Sequence, residues 1–152
     1  MTRTTVLALL AIALGVAVPV SFAQAPPHQQ RSGLRGHISV RATETRTDGD
    51  VTDGGVAGRG RFRISGAITD KGKVTDYRTV KGGTALLRRV TAGARGTITF
   101  LITIHLRESG PETWKITSAT RAYKGLHGRG RETVDAFDET PARFVLQGTV
   151  AR

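Results

Sequence analysis

Apolar and polar residues alternate along most of this chain. From His37 to Arg46, Ile38, Val40 and Ala42 share one face, and His37, Ser39, Arg41 and Thr43 share the other. This period of two marks a strand with one side buried. Residues 59–69 repeat it, with Phe62, Ile64, Gly66 and Ile68 set against Arg61, Arg63, Ser65 and Ala67. The clearest case is 97–106, where Ile98, Phe100, Ile102, Ile104 and Leu106 share a face opposite Thr97, Thr99, Thr103 and His105. Further strands are predicted over 74–80, 84–91, 113–118, 128–137 and 143–151. Turn signals separate them: Asp70–Lys73, Gly82–Gly83, Ser109–Gly110–Pro111 and an acidic stretch ending at Pro141. No segment carries the period of an amphipathic helix. About eight short strands with short connections imply antiparallel neighbours in an all-β domain. One apolar face recurs on nearly every strand, which favours an eight-stranded antiparallel β-barrel over the alternative, a β-sandwich.

With the apolar faces turned inward, the interior contains Phe62, Ile64, Phe100, Ile102, Trp114, Ile116 and Phe144, with Tyr123 near the mouth. These eight residues are the candidate lining of a site for a small hydrophobic ligand. A solid barrel with no cavity is an equal alternative. Gly58 and Gly60, and again Gly128 and Gly130, lie two apart on the inner register. Such glycines mark a bend in the strand or leave room for a pocket. The outward face is basic: His37, Arg41, Arg59, Arg61, Arg63, Lys115, Arg129, Arg131 and Arg143.

The first residues read differently. Arg3 precedes an apolar run from Val6 to Val20, and small residues follow at Ser21, Ala23 and Ala25. This is the layout of a secretory signal peptide over 1–23, cut after Ala23 because Pro26 would hinder a cut after Ala25. An uncleaved membrane anchor is the alternative, disfavoured because the run is short for a span of about 20 residues. Residues 24–34 then read as a polar, proline-containing linker, and 35–152 as the barrel domain, exported to the cell envelope or beyond. The chain has no cysteine, which excludes disulfides, zinc-thiolate sites and thiol nucleophiles. Of its 152 residues, 23 are Lys or Arg and 12 are Asp or Glu, a net charge of +11. That balance favours an anionic polymer as partner, with Arg59, Arg61, Arg63, Arg129 and Arg131 as the anion-binding surface. A merely solubilising surface is the blander alternative. The few aromatic residues lie mostly on the apolar faces, which argues against specific nucleic-acid binding.

No catalytic motif emerges. The chain lacks a Gly-x-Ser-x-Gly elbow, and Ser65 and Ser118 have no evident base. The four histidines lack metal-ligand spacing, so neither a metal nor a cofactor is expected. Asp48, Asp50 and Asp53 lack the spacing of an EF-hand loop. These acids, with Asp135, Asp138 and Glu139, read as solvated turns. The leading expectation is therefore a secreted binding module rather than an enzyme.

One pattern goes further. Gly60-x-Phe62-x-Ile64-x-Gly66-x-Ile68-x-Asp70, then Gly96-x-Ile98, then Trp114-x-Ile116 with Ala122-Tyr123-x-Gly125-Leu126-x-Gly128-x-Gly130, resembles the allene oxide cyclase barrel-like superfamily. That superfamily includes the plant dirigent proteins and many secreted bacterial proteins. The resemblance spans roughly residues 35–151. It implies an eight-stranded antiparallel barrel with an apolar central cavity, and homo-oligomers formed through the outer walls. In plant members the cavity holds a fatty-acid-derived epoxide or phenoxy radicals. No position here matches the cyclase's polar set or the dirigent aspartates, so only the scaffold carries over. A cyclase- or dirigent-like role would require a polar side chain inside the barrel.

Overall fold

The computed structural model describes residues 33–47, 54–107, 110–136 and 139–152. The expected signal peptide 1–23, most of the linker 24–34 and the acidic loop with Asp48, Asp50 and Asp53 lie outside them. Eight strands follow in order: β1 (Arg35–Arg46), β2 (Gly55–Gly66), β3 (Asp70–Lys81), β4 (Thr84–Gly93), β5 (Gly96–His105), β6 (Glu112–Ala119), β7 (His127–Ala136) and β8 (Ala142–Ala151). A single 3-10 turn, Arg121–Tyr123, joins β6 to β7. Each strand pairs antiparallel with the next, and β8 returns to pair with β1. The result is the closed eight-stranded barrel expected from the alternation, not a sandwich. Closure leaves no edge strand exposed to pair with another chain.

Short turns enforce this order. Between β3 and β4, Gly82 and Gly83 both have positive φ (58° and 79°). A two-residue hairpin turn of this hand matches the strand twist but strains any residue with a Cβ. The seam between β6 and β7 is the shortest in the ring, with register pairs only from Glu112↔Glu132 to Lys115↔Arg129.

The interior divides along the barrel axis. At the end carrying the 3-10 turn, Ile38, Ile64, Ile68, Ile98 and Val150 pack with Tyr123 and Leu126 into a dry core. Tyr123 is 2 % exposed, and its hydroxyl donates to Asp70 Oδ2 at 2.8 Å. It plugs this end, and burial together with that bond pushes its pKa up to about 12. In the middle, Phe100 and Trp114 meet edge to face with ring centroids 5.4 Å apart. The Trp114 Nε1–H donates to the Arg131 carbonyl at 3.1 Å.

The glycines of β7 and β8 explain how an indole fits in so narrow a barrel. Gly130 pairs with Gly148, and Trp114 lies over both. A Cβ at Gly130 would stand 2.6 Å from Trp114 Cζ2 and 2.0 Å from the Gln147 carbonyl oxygen. A Cβ at Gly148 would stand 2.5 Å from the same ring atom. The space that Gly130 vacates is thus filled by a ring of the chain itself rather than left as a pocket. The outward residues follow the expected parity: His37, Arg41, Arg59, Arg61, Arg63, Lys115, Arg129, Arg131 and Arg143 are all exposed.

Replacing Gly130 by Ala should therefore destabilise the barrel by about 2–3 kcal/mol, the cost of overpacking a rigid wall. Gly110→Ala, where nothing lies within 4 Å, should stay within about 0.5 kcal/mol of the parent. Chemical denaturation followed by Trp114 fluorescence measures both.

Candidate functional site

The same alternation that buries isoleucines at one end buries charge at the other. On β1 the inward series Ile38, Val40, Ala42 continues to Glu44; on β3 Val74 continues to Asp76. On β4 the inward series is Ala85, Leu87, Arg89 and Thr91, and β7 contributes Glu132. A strand cannot turn one side chain outward without shifting its register, so these four residues are held on the inner face. All four are buried, and Arg89 is 0 % exposed.

Arg89 is the hub. Asp76 lies directly opposite it across the β3–β4 ladder. The guanidinium grips that carboxylate in fork geometry: Nε donates to Oδ1 at 3.0 Å and Nη2 to Oδ2 at 2.7 Å. Nη1 donates to Glu132 Oε1 on the far side. Nε also lies 3.2 Å from Glu44 Oε1, but its hydrogen is committed to Asp76, so Glu44 Oε1 has an ion-pair neighbour and no hydrogen bond. The guanidinium carbon sits 4.6 Å from the centre of the Phe144 ring, which covers one face. Gly58 makes room for the cluster, since a Cβ there would stand 2.8 Å from Glu44 Oε2.

Three carboxyls around one cation cannot all be ionised without excess buried negative charge. Burial, the largest effect, pushes Glu44 up to about 8 against the pull of Arg89. The negative Asp76, a side-chain hydrogen bond to Asp76 and the negative Glu132 add to the rise, leaving Oε1 as the oxygen without a partner. Glu132 is pushed up to about 7, again chiefly by burial, with Glu112 opposite it on β6 adding to the rise. Burial disfavours the charge on Arg89, but Asp76, Glu132 and Glu44 outweigh it and hold the guanidinium protonated. The site therefore comprises a fixed cation and two carboxyls, Glu44 and Glu132, that burial holds protonated to well above the usual carboxylate range.

Above this cluster lies a cavity of 260 Å³. Glu44, Asp76 and Glu132 form its polar side, and Ala85, Leu87, Ile104, Val134 and Phe144 its apolar wall. Arg46, Arg78 and Glu112 are also among its lining residues. The volume falls just below the roughly 300–1,000 Å³ of ordinary ligand pockets, which restricts any occupant to a small molecule.

Of the eight residues expected to line a ligand site, Phe144 alone borders this cavity. Phe62, Ile64, Phe100, Ile102 and Trp114 are buried in the packed core, and Ile116 is half-buried against it. Tyr123, expected near the mouth, is at the opposite end of the barrel. Arg59, Arg61, Arg63, Arg129 and Arg131 stand on the outer wall and take no part in the cavity. The four charged residues of the cluster were not anticipated, although simple parity points to them. Extending each apolar series by two positions reaches Glu44, Asp76 and Arg89, and the Gly128–Gly130 series reaches Glu132. Among the described residues, no group of three His, Asp or Glu side chains could hold a metal ion.

No family model matches the chain, and no curated protein matches it. Among solved structures it is similar to the pterocarpan synthase dirigent protein, with a TM-score of 0.52 and 10 % sequence identity. The match covers 87 % of this chain and 98 % of that one. The barrel is dirigent-like in fold, as the glycine and aromatic pattern implies.

The raised acids give stability a definite dependence on pH. A carboxyl whose folded pKa lies above its unfolded value binds more protons in the native state. Its stabilisation is complete below about 4.5 and is lost as pH rises through the folded values of about 7 and 8. The melting temperature should fall between pH 5 and pH 8, with a slope of about 1.4 kcal/mol per pH unit for each excess proton. Glu44→Gln should match the parent at pH 5 and melt above it at pH 8. Arg89→Met, which strands the carboxylates, should lose about 3–5 kcal/mol at pH 7 and recover part of that at pH 5. Thermal melts monitored by circular dichroism across the pH series test all three.

Proposed function

We propose that this chain is a secreted, dirigent-like barrel that holds one small, mostly apolar molecule in the cavity above Arg89 and steers its chemistry by shape and by proton transfer. The observation that carries this reading is the Glu44 carboxyl. It is buried, it is neutral below about pH 8, and its Oε1 has no hydrogen-bond partner among the described residues. An unmade hydrogen bond in a buried site costs about 1–3 kcal/mol, which a ligand with a suitably placed polar atom would recover. The apolar wall of Leu87, Ile104, Val134 and Phe144 would hold the rest of such a molecule.

The arrangement suits a proton-assisted rearrangement. Glu44 donates its proton to an oxygen of the bound molecule as the carbon–oxygen bond weakens. The carboxylate left behind lies 3.2 Å from Arg89 Nε, a fixed cation that stabilises the new charge. Glu132, in the ionised form that its pairing with Arg89 favours, takes a proton from carbon elsewhere on the same molecule. One proton enters and one leaves, so the molecule is isomerised or loses water, and the two carboxyls reset by exchange with solvent. Kinship with allene oxide cyclase-like barrels and with exported bacterial proteins belongs to this same proposal. Passive carriage of an apolar ligand is the simpler alternative, and it gives no role to a neutral buried acid.

Calorimetric titration with a panel of small phenols and hydroxylated or epoxidised fatty-acid fragments should find saturable one-to-one binding for at least one compound. Glu44→Leu, which removes both polar atoms, should weaken that binding by roughly tenfold, the value of one hydrogen bond to such a group. Leu87→Trp, which fills the cavity, should abolish it. Saturable binding unchanged in Leu87→Trp, or no binding of any compound to the parent, refutes the assignment of the cavity.

A further inference from the structure

The outer wall of β1, β2 and β3 carries a charge pattern that costs the barrel stability. Arg41 stands directly opposite Arg63 across the β1–β2 ladder. Arg63 stands opposite Lys71, and Arg61 opposite Lys73, across the β2–β3 ladder. All five side chains are exposed, and Arg59 continues the row along β2. Directly opposed residues hold their Cβ atoms about 4.5–5.5 Å apart, and like charges at that separation are destabilising.

Among the described residues of this wall, no acid offsets this. Among the described residues, none of these six cations takes part in an ion pair. The acids of these strands are committed elsewhere: Glu44 and Asp76 face the interior cluster, and Asp70 accepts from Tyr123. A solubilising surface would intersperse both signs. This wall instead sets cations in a two-dimensional array, spaced about 4.8 Å between strands and about 6.8 Å along them.

We infer that the β1–β2–β3 outer wall is a binding surface for a linear acidic polysaccharide. A polymer with regularly repeated carboxylates can engage several cations at once and remove the repulsion between opposed pairs. Arginine, four of the six, presents a planar fork that pairs with carboxylate oxygens in bidentate fashion. The one aromatic side chain on the described part of this wall, Tyr77 of β3, is half-buried and its ring is covered by the Arg88 guanidinium at 4.1 Å, so there is no row of open rings for unpaired bases. A smooth strand face has no element to enter a duplex groove. It also lacks apolar side chains that would enter a bilayer, and a convex barrel wall touches a flat membrane over only a small area. This surface is independent of the interior cavity, because side chains alternate between the two sides of each strand.

Affinity electrophoresis through polygalacturonate tests the inference on the full chain. The parent should be retarded, and the retardation should weaken steeply from low to high salt because exposed charges are screened. Arg61→Ser with Arg63→Ser should lose at least tenfold in affinity. Arg121→Ser with Lys124→Ser removes the same charge from the exposed β6–β7 connection, and should change affinity by less than threefold. Without polymer, the Arg61/Arg63 variant should melt at or above the parent temperature, since a repulsion has been removed. Equal losses in the two double variants would reduce the effect to net charge and overturn the site. So would a lower melting temperature of the Arg61/Arg63 variant. Retardation by duplex DNA or by anionic phosphatidylglycerol vesicles with none by polygalacturonate would assign the wall to another class of partner and overturn the inference as stated.

Discussion

A single guanidinium, fully withdrawn from water, governs the upper part of this barrel. Arg89 is buried only because Asp76, Glu132 and Glu44 surround it and Phe144 covers its face. Such a group is not an economical way to hold a fold together, since a well-packed apolar replacement is often as stable or more so. Its partners are costly too, because two of the three carboxyls meet the interior by keeping their protons well above the ordinary carboxylate range. What the cluster provides instead is a polar layer that the apolar side chains cannot collapse onto. The cavity lies against that layer, with Phe144 and Leu87 in its apolar wall.

The two halves of the barrel show how one strand set supports two different interiors. The lower half is closed by Tyr123 and Leu126 and filled by isoleucine, valine and the Phe100–Trp114 pair. It is rigid in the ordinary sense of a close-packed core, and Gly130 and Gly148 allow it to contain an indole without widening. The upper half stands on this base. Positions of the carboxyls relative to Arg89 are fixed by ladder register, so their electrostatics are built into the backbone rather than into loops. Meanwhile the charged side chains on the outer side of β1, β2 and β3 are cationic, and a sheet thickness separates them from an acid-rich interior.

The legibility of these features in the sequence differs by physical cause. Strand order, closure and the basic outer wall all follow from a period of two, and that period is present in the residues themselves. The resemblance built on Gly60, Trp114 and the Tyr123–Gly130 stretch pointed to the same barrel, and the dirigent structure matches it in fold. The polar interior is hard to read because each member is a lone charged residue within or at the end of an inward series. Only the ring closure brings β7 beside β4's arginine, a contact between residues 43 positions apart. Glu44 and Glu132 look like ordinary surface acids until their parity is counted. The large aromatic residues misled for the opposite reason: size and inward direction were legible, but not that they would fill their own space.

The order of the strands has a consequence in time. Each strand pairs with its sequence neighbour except at one seam, where β1 meets β8. Arg89 and Asp76 lie on adjacent strands and can meet as soon as a hairpin forms. Glu132 arrives from β7, much later in synthesis, and the wall that shuts water out is incomplete until β8 docks. Non-local pairings of this kind impose the largest loop-closure cost and come late in assembly. Every partly built form of the barrel is therefore an open sheet whose charged inner face is still wet. Dehydration of the cluster and completion of the ring are a single event, and the chain acquires its raised carboxyl pKa values only at the moment it becomes whole.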